Sequence, residues 1–512
     1  MTVVLTESTV RGFALRLALL LAATVAVSWT IALGDFSGPL RNLAAGSVAV
    51  ILALTYVWRP AEALLGTALF MLFSQTYALY LDAPIALIDE VAVGLIFLIA
   101  GVRAAPSWRQ WMWLPRDVAV LLVLVLAVIS SLVAGVPIST WAVALVLLGK
   151  SIAFLYAVMW TPFREWEIRG GMWAVASVAA VVLVLGFVEL IDARSFRDAL
   201  GLNRYSSVRS GMPVVKSLFV HPAPFGWLMA FVAIFFYAGF AVTRRWRWLA
   251  VAVAFSIGPM ISARRRAILG LLAGVAAGIV ESFGRLHRPV AVIREWGPVA
   301  VSVLLVFVLF TPGLIGLYER AIDRYVTRDL SEVDPETGEV LPEGDADVSP
   351  QARIALYRGS VEIAADHIPL GGGLGRYASW MSRVNYSPLY ERYGLSEIKG
   401  LEPDDTAFAT DTFWPQILGE IGVLGLAAYL AFLGTIALAL WREARRASGH
   451  MLRILRLGAG MVFAQAIVES LASSMFHSPP RVYLLYLALG VVLSLAWRSR
   501  TDEPAVEPAA EP

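Results

Sequence analysis

Apolar runs near the length that crosses a bilayer recur from one end of the chain to the other, and no other feature limits its fold as severely. Backbone surrounded by hydrocarbon must satisfy its own hydrogen bonds, so each run reads as a helix and the fold class as all-α. Runs of roughly 17 to 25 residues give about fourteen spans. Their cores lie near 13–33, 43–58, 61–80, 85–102, 118–134, 141–160, 172–191, 225–242, 247–261, 266–281, 298–317, 413–440, 454–476 and 481–497. A share of 58% hydrophobic and 16% charged residues excludes packing as soluble domains. The first run follows Arg11 and Arg16 without a small-residue cleavage site, and reads as a retained span.

Where the charges sit orients the spans. Short cytoplasmic loops carry the Lys/Arg excess. Loops with Arg103, Arg109 and Arg116, with Arg244, Arg245 and Arg247, with Arg285, Arg288 and Arg294, and with Arg442, Arg445, Arg446, Arg453 and Arg456 fall on one side if the spans alternate. That side is expected to be the cytoplasm, with both termini there. The loops at 81–84, 135–140 and 477–480 hold no Lys or Arg.

The expected division is a membrane region over 1–317, a large external segment over 318–412, a last membrane region over 413–500 and a tail over 501–512. Residues 331–350 are acidic and rich in Pro and Gly, which predicts a disordered insert. Beyond them, 351–368 interleaves Ile354, Leu356, Val361 and Ile363 with Arg353, Arg358 and Glu362, the pattern of an amphipathic helix on a membrane surface or over a cavity. Leu370 to Gly375 then turn the chain, and their N–H groups are candidates for a phosphate cradle or for a plain turn.

Two external stretches violate the charge rule. The segment 192–224 holds Arg209 and Lys216, and the short turn Ser262-Ala263-Arg264-Arg265-Arg266 is the sharpest case. Either the topology fails there or the arginines bind something. Guanidinium forks match phosphate oxygens in pairs, so Arg209, Lys216, Arg264, Arg265, Arg266, Arg353 and Arg376 suit a diphosphate at headgroup level. Asp89, Glu90, Lys150, Glu189, Glu420, Gln465 and Glu469 lie within spans, where such groups line a cavity or pair with one another. Cys is absent and His number five, so no metal or other cofactor is expected, and the net charge of +2 gives no reason to expect nucleic acid.

Four stretches in this order resemble the O-antigen ligase and polysaccharide polymerase superfamily of bacterial membrane glycosyltransferases. They are Gly211 to Gly226 with His221-Pro222, the turn Ser262 to Leu271 with Arg265 on the family arginine, Arg353 followed by Asp366 to Gly375, and Gln416 to Gly425. Where many members carry a His-Asn pair before the last stretch, this chain has Asp411 and Thr412, which favours the polymerase branch over the ligases. The resemblance implies an undecaprenyl-diphosphate-linked glycan donor, a glycan or lipid-linked acceptor, the bacterial cytoplasmic membrane with an external active face, and flippase and chain-length regulator proteins as partners. It further implies that Arg265 and Arg353 act on the diphosphate, with Arg209, Lys216, His221, Arg264, Arg266 and Arg376 binding substrate. Asp411, His367 and Glu420 are candidate bases in that order. A polytopic transporter or lipid-oligosaccharide flippase is the alternative.

Overall fold

The computed structural model describes residues 38–80, 85–105, 114–200, 208–209, 212–327, 349–446 and 449–501. The first expected span, the insert up to residue 348 and the tail beyond 501 lie outside them. The described chain is all-α apart from a two-residue hairpin, in which Val208–Arg209 (β1) pairs antiparallel with Met212–Pro213 (β2).

Eight described helices are long and apolar enough to cross a membrane. In chain order the elements are α1 (Gly38–Trp58), α2 (Pro60–Leu72), α3 (Ser74–Tyr80), α4 (Ile85–Ala104), α5 (Pro115–Val133), α6 (Ile138–Trp160), α7 (Glu165–Ile191), α8 (Ala193–Ala199), α9 (Pro222–Thr243), α10 (Trp246–Ile261), α11 (Arg265–Leu286) and α12 (Pro289–Thr327). They continue with α13 (Ser349–Asp366), α14 (Trp380–Val384), α15 (Pro388–Arg392), α16 (Trp414–Arg446), α17 (His450–Ser470) and α18 (Val482–Thr501). The run expected at 61–80 breaks at Phe73 into α2 and α3. The run expected to end at 317 continues as helix to Thr327.

Helix α9 is apolar on every face and forms the centre of the bundle, with Trp227 and Tyr237 fully buried against α7, α10, α11 and α17. Small residues let α11 approach closely: Gly270, Gly274 and Gly278 share a face and meet Glu469, Met461 and Trp296. Lys150 on α6 lies 2.8 Å from Asp89 and 2.6 Å from Glu90 on α4, and Tyr483 of α18 donates to Asp89. These intramembrane charges tie helices together. Removing one partner of such a buried set typically costs about 3–5 kcal/mol.

The loops sort into two ends. At one end Arg244 reaches Glu295, Arg285 reaches Glu295, Arg456 reaches Glu443 and Arg103 donates to the carbonyls of Tyr56 and Val57. These are the arginine-rich loops expected to share a side. At the other end the segments 133–140, 214–221, 262–266, 349–413 and 471–481 meet one another.

Candidate functional site

The second end carries a small subdomain. Ala352, Leu356, Ile363, Tyr377, Leu389, Tyr390 and Leu401 form its apolar core, separate from the bundle core. Backbone exchange fastens it to the bundle. Helix α16 is interrupted at Gly422, whose φ of 75° and ψ of −168° break the helical ladder. Gly372 N–H donates to Gly419 C=O at 2.7 Å, Gly373 N–H to Glu420 C=O at 3.0 Å, and Leu424 N–H returns to Pro369 C=O at 3.4 Å. Ser130 also donates to Glu420 C=O, and Leu374 N–H to Ser131. Broken helix backbone is tolerated at membrane depth when protein satisfies it, and here the Gly-rich turn does so. The same bonds consume the donors that a phosphate cradle needs, so Leu370 to Gly375 is a structural clasp instead.

A second clasp orders the segment before α9. The Glu189 carboxylate, buried at the end of α7, takes Arg197 and the amides of Lys216 and Ser217. Val215 N–H then bonds Ile261 C=O at 3.0 Å, which lays this segment beside the turn from α10 to α11. In that turn Ala263 takes a left-handed φ of 49° and Ser262 is buried, donating to Pro259 C=O. Arg264, Arg265 and Arg266 follow at the start of α11, each half-buried.

Around these arginines charged groups from four separated stretches of chain gather. Arg353 donates to Asp411 at 2.5 Å. Arg266 donates to Ala472 C=O at 2.7 Å and feels the charges of Arg481, Glu469, Arg353 and Asp411. His221, at the start of α9, feels Arg264, Lys216, Asp411 and Arg266. It meets solvent along its edge, yet desolvation by the surrounding protein, then Arg264 and Lys216, hold its imidazole below the usual value, so it is neutral at pH 7. Desolvation and Arg197 likewise lower Lys216. Among the described residues Arg265 makes no hydrogen bond or ion pair.

The Arg353–Asp411 pair is about a quarter to a third exposed, at 26% and 33%. Ion pairs this open contribute about 0–1 kcal/mol, too little to fasten the subdomain, whose apolar core and backbone clasp do that. Its place at the meeting point of the cations is therefore a matter of the site rather than of stability.

Not every expected residue joins this cluster. His367 is 14 residues from Arg353 at the far end of α13, about 20 Å by helical rise; its Nδ1 sits 3.0 Å from Ile363 C=O. Arg376 donates to Ala134 C=O on the α5–α6 loop, away from Arg353. Glu420 is buried under the Gly-rich turn, where it accepts from Tyr377 N–H at 3.0 Å and from Gln416 at 3.4 Å. Arg209 lies on β1, and its side chain is outside the described part. Conversely, Arg481 belongs to the cluster although the sequence offered only a lone arginine at the first position of a span.

Among the described residues no group of His, Asp or Glu is arranged to hold a metal ion. No protein-family model and no curated protein matches the chain.

Proposed function

We propose that this protein is a membrane glycosyltransferase acting on polyprenyl-diphosphate-linked glycans, of the O-antigen polymerase kind that its sequence resembles. The observation that carries the reading is the convergence of Lys216, Arg264 and Arg266 on His221, and of Arg266, Arg353 and Arg481 on Asp411, at one end of an apolar helix bundle. Such an assembly suits a substrate with a doubly charged head and a tail that belongs in lipid.

The reaction joins an acceptor hydroxyl to the anomeric carbon of the donor glycan. The C–O bond to the diphosphate breaks, the diphosphate leaves with the electron pair, and the hydroxyl proton passes to a base. Guanidinium groups in place before the reaction stabilise the charge that grows on the leaving oxygen, and removing one such donor typically costs about 10²–10³ in rate. Two candidate bases stand among these cations. Asp411 is held by Arg353, and desolvation, then Arg264 and Lys216, lower the value of the His221 imidazole. Either can take the proton, and His221 takes the place in the chemistry that His367, too far along α13, leaves open.

The arginine-rich opposite end supports an external position for the cluster, by the rule that short cytoplasmic loops gather Lys and Arg. In a bacterial cell the chain then sits in the cytoplasmic membrane and works on the outer face, where flipped lipid-linked glycans arrive. A flippase or transporter would need an ionisable path through the bundle. Lys150, near the middle of α6, instead closes on Asp89 and Glu90.

The test is reconstitution of the full chain in liposomes with a lipid-linked oligosaccharide and no energy source. Release of undecaprenyl diphosphate together with a lengthened glycan supports the transferase. Movement of unaltered lipid-linked glycan between leaflets, with no new glycosidic bond, would replace it by the flippase reading.

A further inference from the structure

Beside these cations lies a further polar layer between α11, α17 and the segment 471–481. Arg481 stands immediately before α18 with only 6% of its surface exposed. Its nearest carboxylate is Glu469 at 3.8 Å, beyond hydrogen-bonding distance. The Nε and Nη1 atoms of Arg481, Oε2 of Glu469 and Oε1 of Gln465 are all enclosed and make no hydrogen bond within the protein. Gln465 donates to the other Glu469 oxygen at 3.0 Å, and both side chains press on Gly270, one turn into α11 from Arg266. Arg266 feels Arg481 and Glu469 in turn.

Buried polar groups are nearly always hydrogen-bonded, and leaving a charged one unpaired is costly. The layer therefore calls for a polar occupant. Arg266, Arg353 and Arg481 face two carboxylates, Glu469 and Asp411, so the surplus is positive and the occupant anionic. A long, imperfect ion pair is also the arrangement that a better acceptor can displace.

We propose that Arg481, with Arg266, binds the phosphoryl group nearest the lipid chain of a polyprenyl diphosphate, and that Glu469 is the counter-ion that this phosphoryl group displaces. The proposal rests on the glycosyltransferase reading for the identity of the anion. It follows from depth. The sugar-bearing phosphate sits with Arg353 and Arg264, and the prenyl-bearing phosphate sits one helical turn lower, where its chain enters the bilayer. Arg481 is then a binding residue that sets where the leaving group lies.

Binding of undecaprenyl diphosphate and undecaprenyl monophosphate to the purified full chain in nanodiscs tests this. Arg481→Gln should weaken diphosphate binding about tenfold, the worth of one charge-assisted hydrogen bond, with a smaller effect on the monophosphate. Glu469→Gln should tighten diphosphate binding several-fold, because a competitor for Arg481 is gone. A merely structural pair would lose affinity in both variants. Arg481→Lys keeps the charge without the fork; it should weaken diphosphate binding at an unchanged melting temperature, and it serves if Arg481→Gln does not fold. Unchanged affinity in either Arg481 variant, or weaker binding in Glu469→Gln, overturns the proposal while wild-type binding leaves the glycosyltransferase reading intact. Absence of diphosphate binding by the wild-type chain overturns both.

Discussion

The amide of Gly372 donates to the carbonyl of Gly419 at 2.7 Å, so a turn from the subdomain completes the backbone of a membrane helix. Where that helix opens, at Gly422, subdomain and bundle are fastened together, which fixes the subdomain's Arg353 and Asp411 relative to the bundle's arginines.

Gly422→Ala is expected to break this joint. A Cβ there would stand 2.4 Å from Pro369 O and 2.5 Å from Gly371 N, at a φ of 75° that L-residues rarely adopt. The loss should be about 3 kcal/mol or more, from strain and overlap together. Thermal unfolding in detergent measures it. A melting temperature equal to wild type would mean that the clasp does not hold the subdomain.

Arg353→Lys and Asp411→Asn should each lower the rate of glycan transfer about 10²-fold while leaving the protein folded. Because the two groups touch, the double variant should lose far less than the product of the single losses. Losses that multiply in full would show that the residues act separately.

The acid limb of the rate profile should fall below pH 6.5, since His221 is lowered from its ordinary value of 6.5 by desolvation and by Arg264 and Lys216. A base with a lowered value stays unprotonated further into acid. Arg264→Gln removes one of the causes, so the limb should move up in pH even though the maximal rate falls. A limb that keeps its position in Arg264→Gln, or survives in His221→Gln, assigns the base to another group.

Acid should also loosen the fold. The His477 ring lies 5.5 Å from that of Phe413, its Nδ1 is enclosed, and burial lowers its value to about 4. The unfolded chain binds a proton near pH 6.5 and the folded chain does not until about pH 4. Stability is therefore full above pH 6.5 and lost as pH falls through this window, by up to about 3 kcal/mol. His477→Phe should flatten the melting temperature across it. An equal acid dependence in that variant would trace the effect elsewhere.

Orientation can be read by labelling, because the chain has no native cysteine. Ser262 is buried, so exposed reporters serve better: Glu397→Cys at the subdomain end and Arg288→Cys at the arginine-rich end. An impermeant maleimide on intact cells should modify Glu397→Cys and reach Arg288→Cys only after permeabilisation. The reverse pattern would turn the cluster toward the cytoplasm.

What was written in the sequence is whatever the solvent enforces residue by residue. Long apolar runs must be helices in hydrocarbon, and the apolar stretches 118–134, 141–160 and 225–242 correspond closely to α5, α6 and α9. The turn Arg264 to Arg266 stood out because three cations in a short loop conflict with its neighbours' pattern. Distance through space has no such local signature. Arg353 and Asp411 are 58 positions apart and touch, whereas Arg353 and His367 are 14 apart, with helix α13 holding His367 away just past its end. Leu370 to Gly375 read more readily as a turn than as a cradle, and the break at Gly422 supplies acceptors for their amides. Glu469 stood out as a charge within a span but Arg481 did not, and only the packed bundle brings the two beside Arg266. Local chemistry follows from composition and period, but a site is a set of relative positions, which belong to the packed bundle alone.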